Sequence, residues 1–559
     1  MPISMSTNLV RVWPLVAVVT LSFAGLALRP PPGATEAEPP DRPRYEGPHK
    51  VRPIPGLTVS LFAKEPFVRD PVAFTIDGQG RFYIAESARQ EVGVEDNRSS
   101  SWWLADDLQA KTVEDRLRMY EKWASKREGG MDYYRSRDDR VRRVEDADGD
   151  GRADRETIFA GPFNDPLDGT GAGVLATGDG VWYTNIPHLW RLRDRDGDGV
   201  AEEREAVHTG FGVRVALRGH DMHGLTWGPD GRIYWSIGDR GYHLVRPDGT
   251  ILADPQSGAV FRCEPDGSGL EVFHYSLRNP QELAFDDWGN LFTGDNNSDG
   301  GDKARIVYVV EGGETGWSMN YQTLEGANVR GPWNQEEIWA LRPELAPDKT
   351  DRVSPVQPAW TVPPLAHVGA GPSGFAHYPG LGLPDRYDGA FFLCDFLGGD
   401  AYSRVLAFRL EPVGAGFRVV DVHPFLENVL PTDVEFGYDG KIYVSDWAGG
   451  WYSKDRGEIY AVWDPSRIGD PRIAEVRQLF AEGFRGRDPD RLVELLGHAD
   501  RRVRLEAQFA LAAYGPAAAP LFLDTARRGG DLRSRVHAIW GLGIIARRER
   551  DSGAVAPLL

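Results

Sequence analysis

Cysteine is almost missing from this chain. Its 559 residues include two, Cys263 and Cys394, and neither lies in a Cys-x-x-Cys-His motif or a paired Cys cluster. The chain therefore has no covalent c-type haem attachment and no zinc-finger type of metal site. Both thiols fall in strand-like segments, which predicts two buried free thiols rather than a disulfide. Surplus positive charge is missing too. The 64 Lys and Arg are outnumbered by 83 Asp and Glu, for a formal net charge of −19. Nucleic-acid phosphates need a basic surface, so nucleic acid is excluded as a partner. Only one long apolar run occurs, from Trp13 to Leu28, with Arg11 before it and Arg29 and a Pro-rich stretch, Pro30 to Pro43, behind it. That run is short for a full membrane span and predicts a secretory signal peptide or an N-terminal anchor with spacer over 1–44. The expected location is exported, either periplasmic or anchored at the cell envelope.

A recurring phrase is what the chain does have. Its clearest copies begin at Leu225, Leu283 and Val434, each an alternating apolar strand, an Asp/Gly turn and a second strand rich in aromatic and β-branched residues. Looser copies begin at Phe74 and Leu175, and a stretched one runs from Phe375 to Leu393. Each copy reads as a β-hairpin. Hairpins repeated along 41% hydrophobic, 11% aromatic sequence with 17 Trp predict the blades of a propeller, where flat rings fill wedge-shaped gaps. The expected fold is mainly β, a six-bladed β-propeller over 45–465 with a helical insertion at about 102–140, where Glu114 and Arg118 suggest an i,i+4 pair. A second, Pro-rich insertion is expected from Trp333 to Pro364.

Beyond Pro465 the apolar period lengthens to that of helices. Val503, Ala507, Ala510 and Leu511 form one stripe, and Val536, Ile539, Trp540 and Gly543 another. Paired helices at this spacing predict a C-terminal α-helical solenoid of HEAT type over 466–559. The opening of a new helix at Pro557 suggests that the solenoid continues past this sequence. A protein partner held by the helical repeats is one expectation.

Two acidic loops suggest calcium. Asp146, Asp148, Asp150 and Asp154 in the first, and Asp194, Asp196, Asp198, Glu202 and Glu205 in the second, supply oxygens at the spacing of a Ca²⁺ loop, with a glycine at the sixth position for the sharp turn. Two polar groups precede blade strands, where propellers keep their sites. His220, in Arg218-Gly-His-Asp-Met-His223, is an imidazole suited to taking a hydroxyl proton. Arg278 and Asn279, in Arg278-Asn-Pro-Gln281, can fork onto a carbonyl-rich or anionic ligand. Downstream, the stretch from Asp295 and Asn296 to Asp302 offers oxygen ligands to a hard cation.

At these residues the chain resembles the soluble quinoprotein glucose and aldose sugar dehydrogenases. The likeness rests on Arg278-Asn-Pro-Gln281, the Asp295 to Asp302 cluster, Gly313-Glu-Thr-Gly316-Trp317, and the eight-residue step from His220 to Gly228. The resemblance implies His220 as general base and Arg278, Asn279 and Gln281 as contacts to pyrroloquinoline quinone (PQQ). It also implies a Ca²⁺ held by backbone carbonyls near Asp295 and Asn296, a sugar or alcohol substrate, and a cytochrome or other electron acceptor. The arrangement is also similar to large bacterial proteins described as membrane-bound dehydrogenases, which join such a propeller to HEAT repeats. The last blade departs from the quinone enzymes, with Leu430-Pro-Thr-Asp433 where they carry basic residues, and Asp168-Gly-Thr-Gly171 stands in the region of another quinone contact. Fewer cations predict a weak hold on a tricarboxylate. Two other functions are consistent with the sequence: a non-catalytic glycan- or protein-binding scaffold, and a metal-dependent lactonase-like hydrolase using Glu86, Asn185, Asn279 and Asp446.

Overall fold

All six recurring phrases form antiparallel strand pairs in the computed structural model, which describes residues 50–297, 304–319 and 362–556. The leader, Ser298 to Asp302, most of the 333–364 insertion and the last three residues lie outside the described residues. The turns follow from their sequence. Asp77 Oδ1 accepts from the Gln79 and Arg81 amides, and Asp286 Oδ1 from those of Trp288 and Asn290. A glycine follows at positive φ in each, Gly80 at 78° and Gly289 at 82°. Such self-bonded Asp/Gly turns bring two strands together in register.

Each pair gives the first two strands of a blade. The innermost strands are Pro71–Ile76, Gly173–Thr177, Met222–Trp227, Pro280–Phe285, Pro372–His377 and Pro431–Phe436. Each packs on the next and the last packs on the first, so the ring is closed. Closure uses the start of the described chain: Thr58–Lys64 pairs antiparallel with Glu458–Trp463 as the outer strand of the sixth blade. Phe62 on that strand stacks on Phe82 of the first blade at 4.4 Å and meets Tyr443 of the sixth edge-on at 5.3 Å. Aromatic contacts therefore seal the joint. Cys263 and Cys394 are buried and free, as expected.

The helical insertion lies between strands Phe82–Ser87 and Asp139–Glu145, with helices Leu104–Gln109 and Val113–Trp123. Arg118 pairs there with Asp115, one step closer than the expected Glu114.

The last blade strand ends at Trp463 and five α-helices follow among the described residues, from Pro471–Glu482 to Leu532–Glu549. The stripe Val503, Ala507, Ala510, Leu511 is buried as expected. The second stripe is corrected. Leu532–Glu549 buries His537, Ala538, Gly541, Leu542, Ile544 and Ile545, while Ile539 is 46% exposed. Ala538, Leu542, Ile544 and Ile545 belong to the core shared with the other helices, while Trp540 of the expected stripe lies against the blades. A Cβ at Gly289, in the fourth blade's hairpin turn, would come within 2.7 Å of Trp540.

These helices cover one end of the propeller. Gln508 Nε2 donates to Pro229 O at 2.7 Å, the Arg501 amide to Pro379 O at 2.8 Å, and Gln79 Nε2 to Ala481 O at 2.8 Å. Arg502 bonds to Gly437 O at 3.2 Å, and Arg504 pairs with Asp287. All the blade partners sit in hairpin turns between first and second strands. The strands' opposite ends, where the chain enters each inner strand, form the other mouth.

Candidate active site at the open mouth

One device recurs around that mouth. In four blades a proline starting the inner strand stands opposite an acid ending the second: Pro71 and Glu86, Pro280 and Asp295, Pro372 and Asp395, Pro431 and Asp446. The acid accepts backbone amides of the lead-in loop, where proline leaves the ladder short of a donor. Glu86 takes the Arg69 amide at 2.8 Å, Asp295 that of Asn279 at 2.7 Å, Asp395 that of Ala370 at 2.7 Å, and Asp446 that of Leu430 at 3.2 Å. In the second blade Asn185 does the same for Gly169 at 3.1 Å.

The third blade breaks the pattern. Met222 faces Ile237 where the others have proline and acid, and the acid comes two residues later, as Asp239. Its carboxylate grips an imidazole instead: Asp239 Oδ1 lies 2.7 Å from His220 Nδ1, and Oδ2 accepts from Trp317 Nε1 at 2.9 Å. A buried carboxylate is acceptor-only, so Nδ1 carries the proton and Nε2 is the basic nitrogen. Burial raises the Asp239 pKa. The His220 charge and hydrogen bond, Arg278 and the Trp317 bond outweigh it, leaving the carboxyl below its usual range.

The fourth blade closes the group. Arg278 O accepts from the Asp239 amide at 2.8 Å, and the Arg278 guanidinium lies 5.7 Å from the Trp317 ring centre. Asn279 Oδ1 is buried with no hydrogen-bond partner among the described residues, and a Cβ on Gly238 would come within 2.8 Å of it. Such an orphan acceptor beside His220 suits a ligand's donor. Gln281 reaches across to Gly219 O at 3.2 Å and so positions the residue before His220. His220, Arg278, Asn279 and Gln281 are thus brought together. Asp239, unforeseen in sequence, orients them. Its signal was Gly238-Asp239-Arg240, an acid just past a second strand. His223 has a different role. Burial lowers its pKa to about 4, and its Nε2 faces Gly219 O at 3.1 Å.

Two expected loop ligands, Asp154 and Glu205, stand outside their clusters, and the side chains of Asp295 and Asn296 have other partners. The Asp295 carboxylate is fully buried against Arg305 at 2.8 Å and the Arg278 and Asn279 amides, so the side chain is a clamp, and the Ca²⁺ contact implied at this position is by backbone carbonyl, not by this carboxylate. Asn296 Oδ1 accepts the Asn297 amide at 2.8 Å. In the Asp loops, carboxylate oxygens of Asp146, Asp148 and Asp150 gather within 4.8 Å, as do those of Asp194, Asp196, Asp198 and Glu202. Asp154 instead accepts the Ala147 amide at 2.9 Å, and Glu205 lies on a strand paired with Arg191 at 2.7 Å. Both loops join third and fourth strands, at the helix-covered end of the blades, away from His220.

Among the described residues, those two loops are the acidic clusters with metal-holding geometry. Of the lactonase-type quartet, Glu86 is tied to Arg142 at 2.7 Å, Asn185 to the Gly169 amide and Asp446 to Lys50 at 2.8 Å. These ties leave no open metal quartet. Three mouth cations are matched in the same way. Arg305 faces Asp295, Arg404 faces Asp395 at 3.3 Å, and Lys50 lies 2.8 Å from Asp400 and from Asp446. A tricarboxylate needs unmatched positive charge to offset its desolvation. Arg305, Arg404 and Lys50 therefore offer little to an anionic tricarboxylate.

Deeper in the ring, Glu282 and Glu435 are half-buried beside the buried Asp433. Burial raises Glu435 to about 8 and Asp433 to about 6, and burial with the Asp433 charge raises Glu282. An acid whose folded pKa is raised keeps a proton that the unfolded chain has lost. Its contribution to stability is therefore complete below the unfolded pKa and falls as pH climbs towards the folded one. Glu435→Gln is expected to match the native chain in urea unfolding near pH 4.5 and to exceed it at pH 8 by on the order of 1–3 kcal/mol. A gap independent of pH would contradict the assignment.

Residues 48–450 match a family model described as a domain of unknown function, DUF7133. No curated protein matches in sequence. Among solved structures, a glucose dehydrogenase is similar at 16% identity and TM-score 0.46, over 72% of this chain and 99% of that one. A PQQ-bound aldose sugar dehydrogenase from Streptomyces coelicolor is similar at 17% and 0.40, over 74% and 100%. The apo-form soluble aldose sugar dehydrogenase from Escherichia coli stands at 15% and 0.42, over 73% and 99%.

Proposed function

The chain belongs to the DUF7133 family, and from the mouth of its propeller we propose an exported dehydrogenase-like enzyme that oxidises a sugar or alcohol hydroxyl. The observation that carries this is the His220–Asp239 pair, 2.7 Å apart, with Nε2 of the imidazole left basic. In the proposed step His220 Nε2 takes the hydroxyl proton while the carbinol carbon gives up hydride to a two-electron acceptor from outside the chain. The C–H bond breaks, the C=O bond forms, and the positive charge arising on the imidazole is balanced by Asp239. Asn279 Oδ1 accepts a second substrate hydroxyl, and Arg278 stands by the developing carbonyl. PQQ is given no role in this step.

The test is acceptor-dye reduction by the purified protein over a broad panel of sugars and alcohols, with and without added PQQ and Ca²⁺. Substrate-dependent reduction supports the reading. Silence across the panel under all conditions removes it. The matched cations also favour a second reading, a glycan- or protein-binding scaffold, for which binding is saturable, turnover is nil and His220→Ala is without effect.

Ca²⁺ is proposed for the two Asp loops, as a structural ion. In each loop a buried alanine two residues past the last glycine donates to the preceding blade, Ala153 N to Phe62 O at 2.8 Å and Ala201 N to Phe159 O at 2.7 Å. Ordering the first loop thus tightens the ring-closing joint. Ca²⁺ at 100 times its Kd is expected to stabilise the native chain by about 2.7 kcal/mol for each occupied loop. In thermal unfolding the shift should vanish in the Asp146→Asn, Asp194→Asn double variant, and a full shift in that variant would refute the assignment.

A further inference from the structure

We propose that the rim of the mouth on the fifth and sixth blades is a carbohydrate platform that holds a pyranose ring against Trp451. It shares only the ligand class with the function proposed above and needs no turnover. Three aromatic side chains are strongly exposed there, Tyr402 at 64%, Trp451 at 60% and Tyr452 at 57%. They are carried by two touching loops, one after Ala390–Asp395 and one after Ile442–Asp446, both leaving second strands at the His220 end.

The exposure is not the result of slack chain. Asp70 binds the second loop through Ser453 Oγ at 2.8 Å, the Lys454 amide at 2.9 Å and the Asp455 amide at 3.0 Å. Asp446 Oδ1 takes the Ala448 amide at 2.9 Å, and Trp447 Nε1 donates to Tyr452 O at 3.2 Å. Ala448 and Asp455 are held at φ 56° and 54°, a strained conformation for residues with a Cβ. The indole is fixed as well: it meets Phe396 at 5.3 Å and 64°, and it lies so close over Gly398 that a Cβ there would collide with it.

A rigid backbone thus presents a fixed ring face to water. The occupant follows from the chemistry. The cluster is aromatic, and its border is polar: Asp400, 2.8 Å from Lys50, and the exposed Lys454, whose Nζ lies beside Gly449 and Gly450. A sugar ring offers weakly positive axial C–H groups to the negative π face and hydroxyls to these polar groups. The polar border does not suit an aliphatic protein face.

The experiment measures binding of cellotetraose and maltotetraose to the full chain by calorimetry and tryptophan fluorescence, without any electron acceptor. The expected result is saturable binding of at least one probe. Trp451→Ala should weaken it roughly tenfold or more, with an unchanged thermal unfolding curve, while His220→Ala binds like the native chain. Failure of both probes overturns the platform. So does equal binding by Trp451→Ala, or loss of binding in His220→Ala, which would move the sugar to the catalytic group. Loss of turnover in His220→Ala with platform binding intact would leave both readings standing.

Discussion

Asparagine in place of Asp239 should leave the propeller folded and lower substrate-dependent acceptor reduction by roughly 10²–10⁴-fold, the range expected for loss of a general base. The carboxylate serves two donors with two oxygens, His220 Nδ1 at 2.7 Å and Trp317 Nε1 at 2.9 Å. An amide has a single acceptor oxygen. If that oxygen stays with Trp317, its NH₂ faces the imidazole and drives the proton to Nε2, where the base is lost. His220→Ala should fall in the same range, and the double variant should be no worse than either single one, because both act on one proton. Steady-state kinetics with circular dichroism as the folding control checks this. Full activity in Asp239→Asn would mean that the pair only holds structure.

Asp295→Ala should destabilise the protein by about 3–5 kcal/mol in denaturant unfolding, the usual range when one member of a buried pair is removed. The buried Arg305 would lose the carboxylate 2.8 Å away, and the Arg278 and Asn279 amides would lose their acceptor. Pairing Asp295→Ala with Arg305→Met should cost less than the sum of the two single changes, since both remove the same ion pair. The effect should be the same with Ca²⁺ or with chelator. A loss that appears only in the presence of Ca²⁺ would restore the metal-ligand reading of the Asp295 side chain.

The architecture was legible because it is written locally. Asp77, Asp230, Asp286 and Asp439 each close a turn on their own neighbours, and the flanking alternation decides which faces are buried. His220 and Arg278 were placed at one mouth from that pattern alone, since both precede inner strands. Asp239 was not, because its meaning comes by contrast: five blades use the end of the second strand to hold backbone, and the third uses it to hold an imidazole. That comparison requires strand register, which no short motif carries. Lys50 escaped notice for a related reason. It comes from the start of the described chain and meets Asp446 nearly four hundred residues later, through ring closure. Glu205 was misplaced because spacing counts residues, whereas the second Asp loop gives way to a strand at Glu203, and Asp154, the last residue before the strand at Arg155, turns its carboxylate to the Ala147 amide. The stripe through Ile539 was misread by about one position: Ala538, Leu542 and Ile545 turn to the neighbouring helices, whereas Trp540 meets the blade turn at Gly289, a division that periodicity alone does not show.

The central claim is that Asp239 holds His220 with its proton on Nδ1 and its basic nitrogen facing the mouth. The most direct measurement is ¹⁵N NMR of the His220 ring in histidine-labelled protein, assigned by comparison with His220→Ala. The neutral imidazole should be the Nδ1–H tautomer, switching to Nε2–H in Asp239→Asn. An Nε2–H tautomer in the native chain would contradict the assignment of a base at this site.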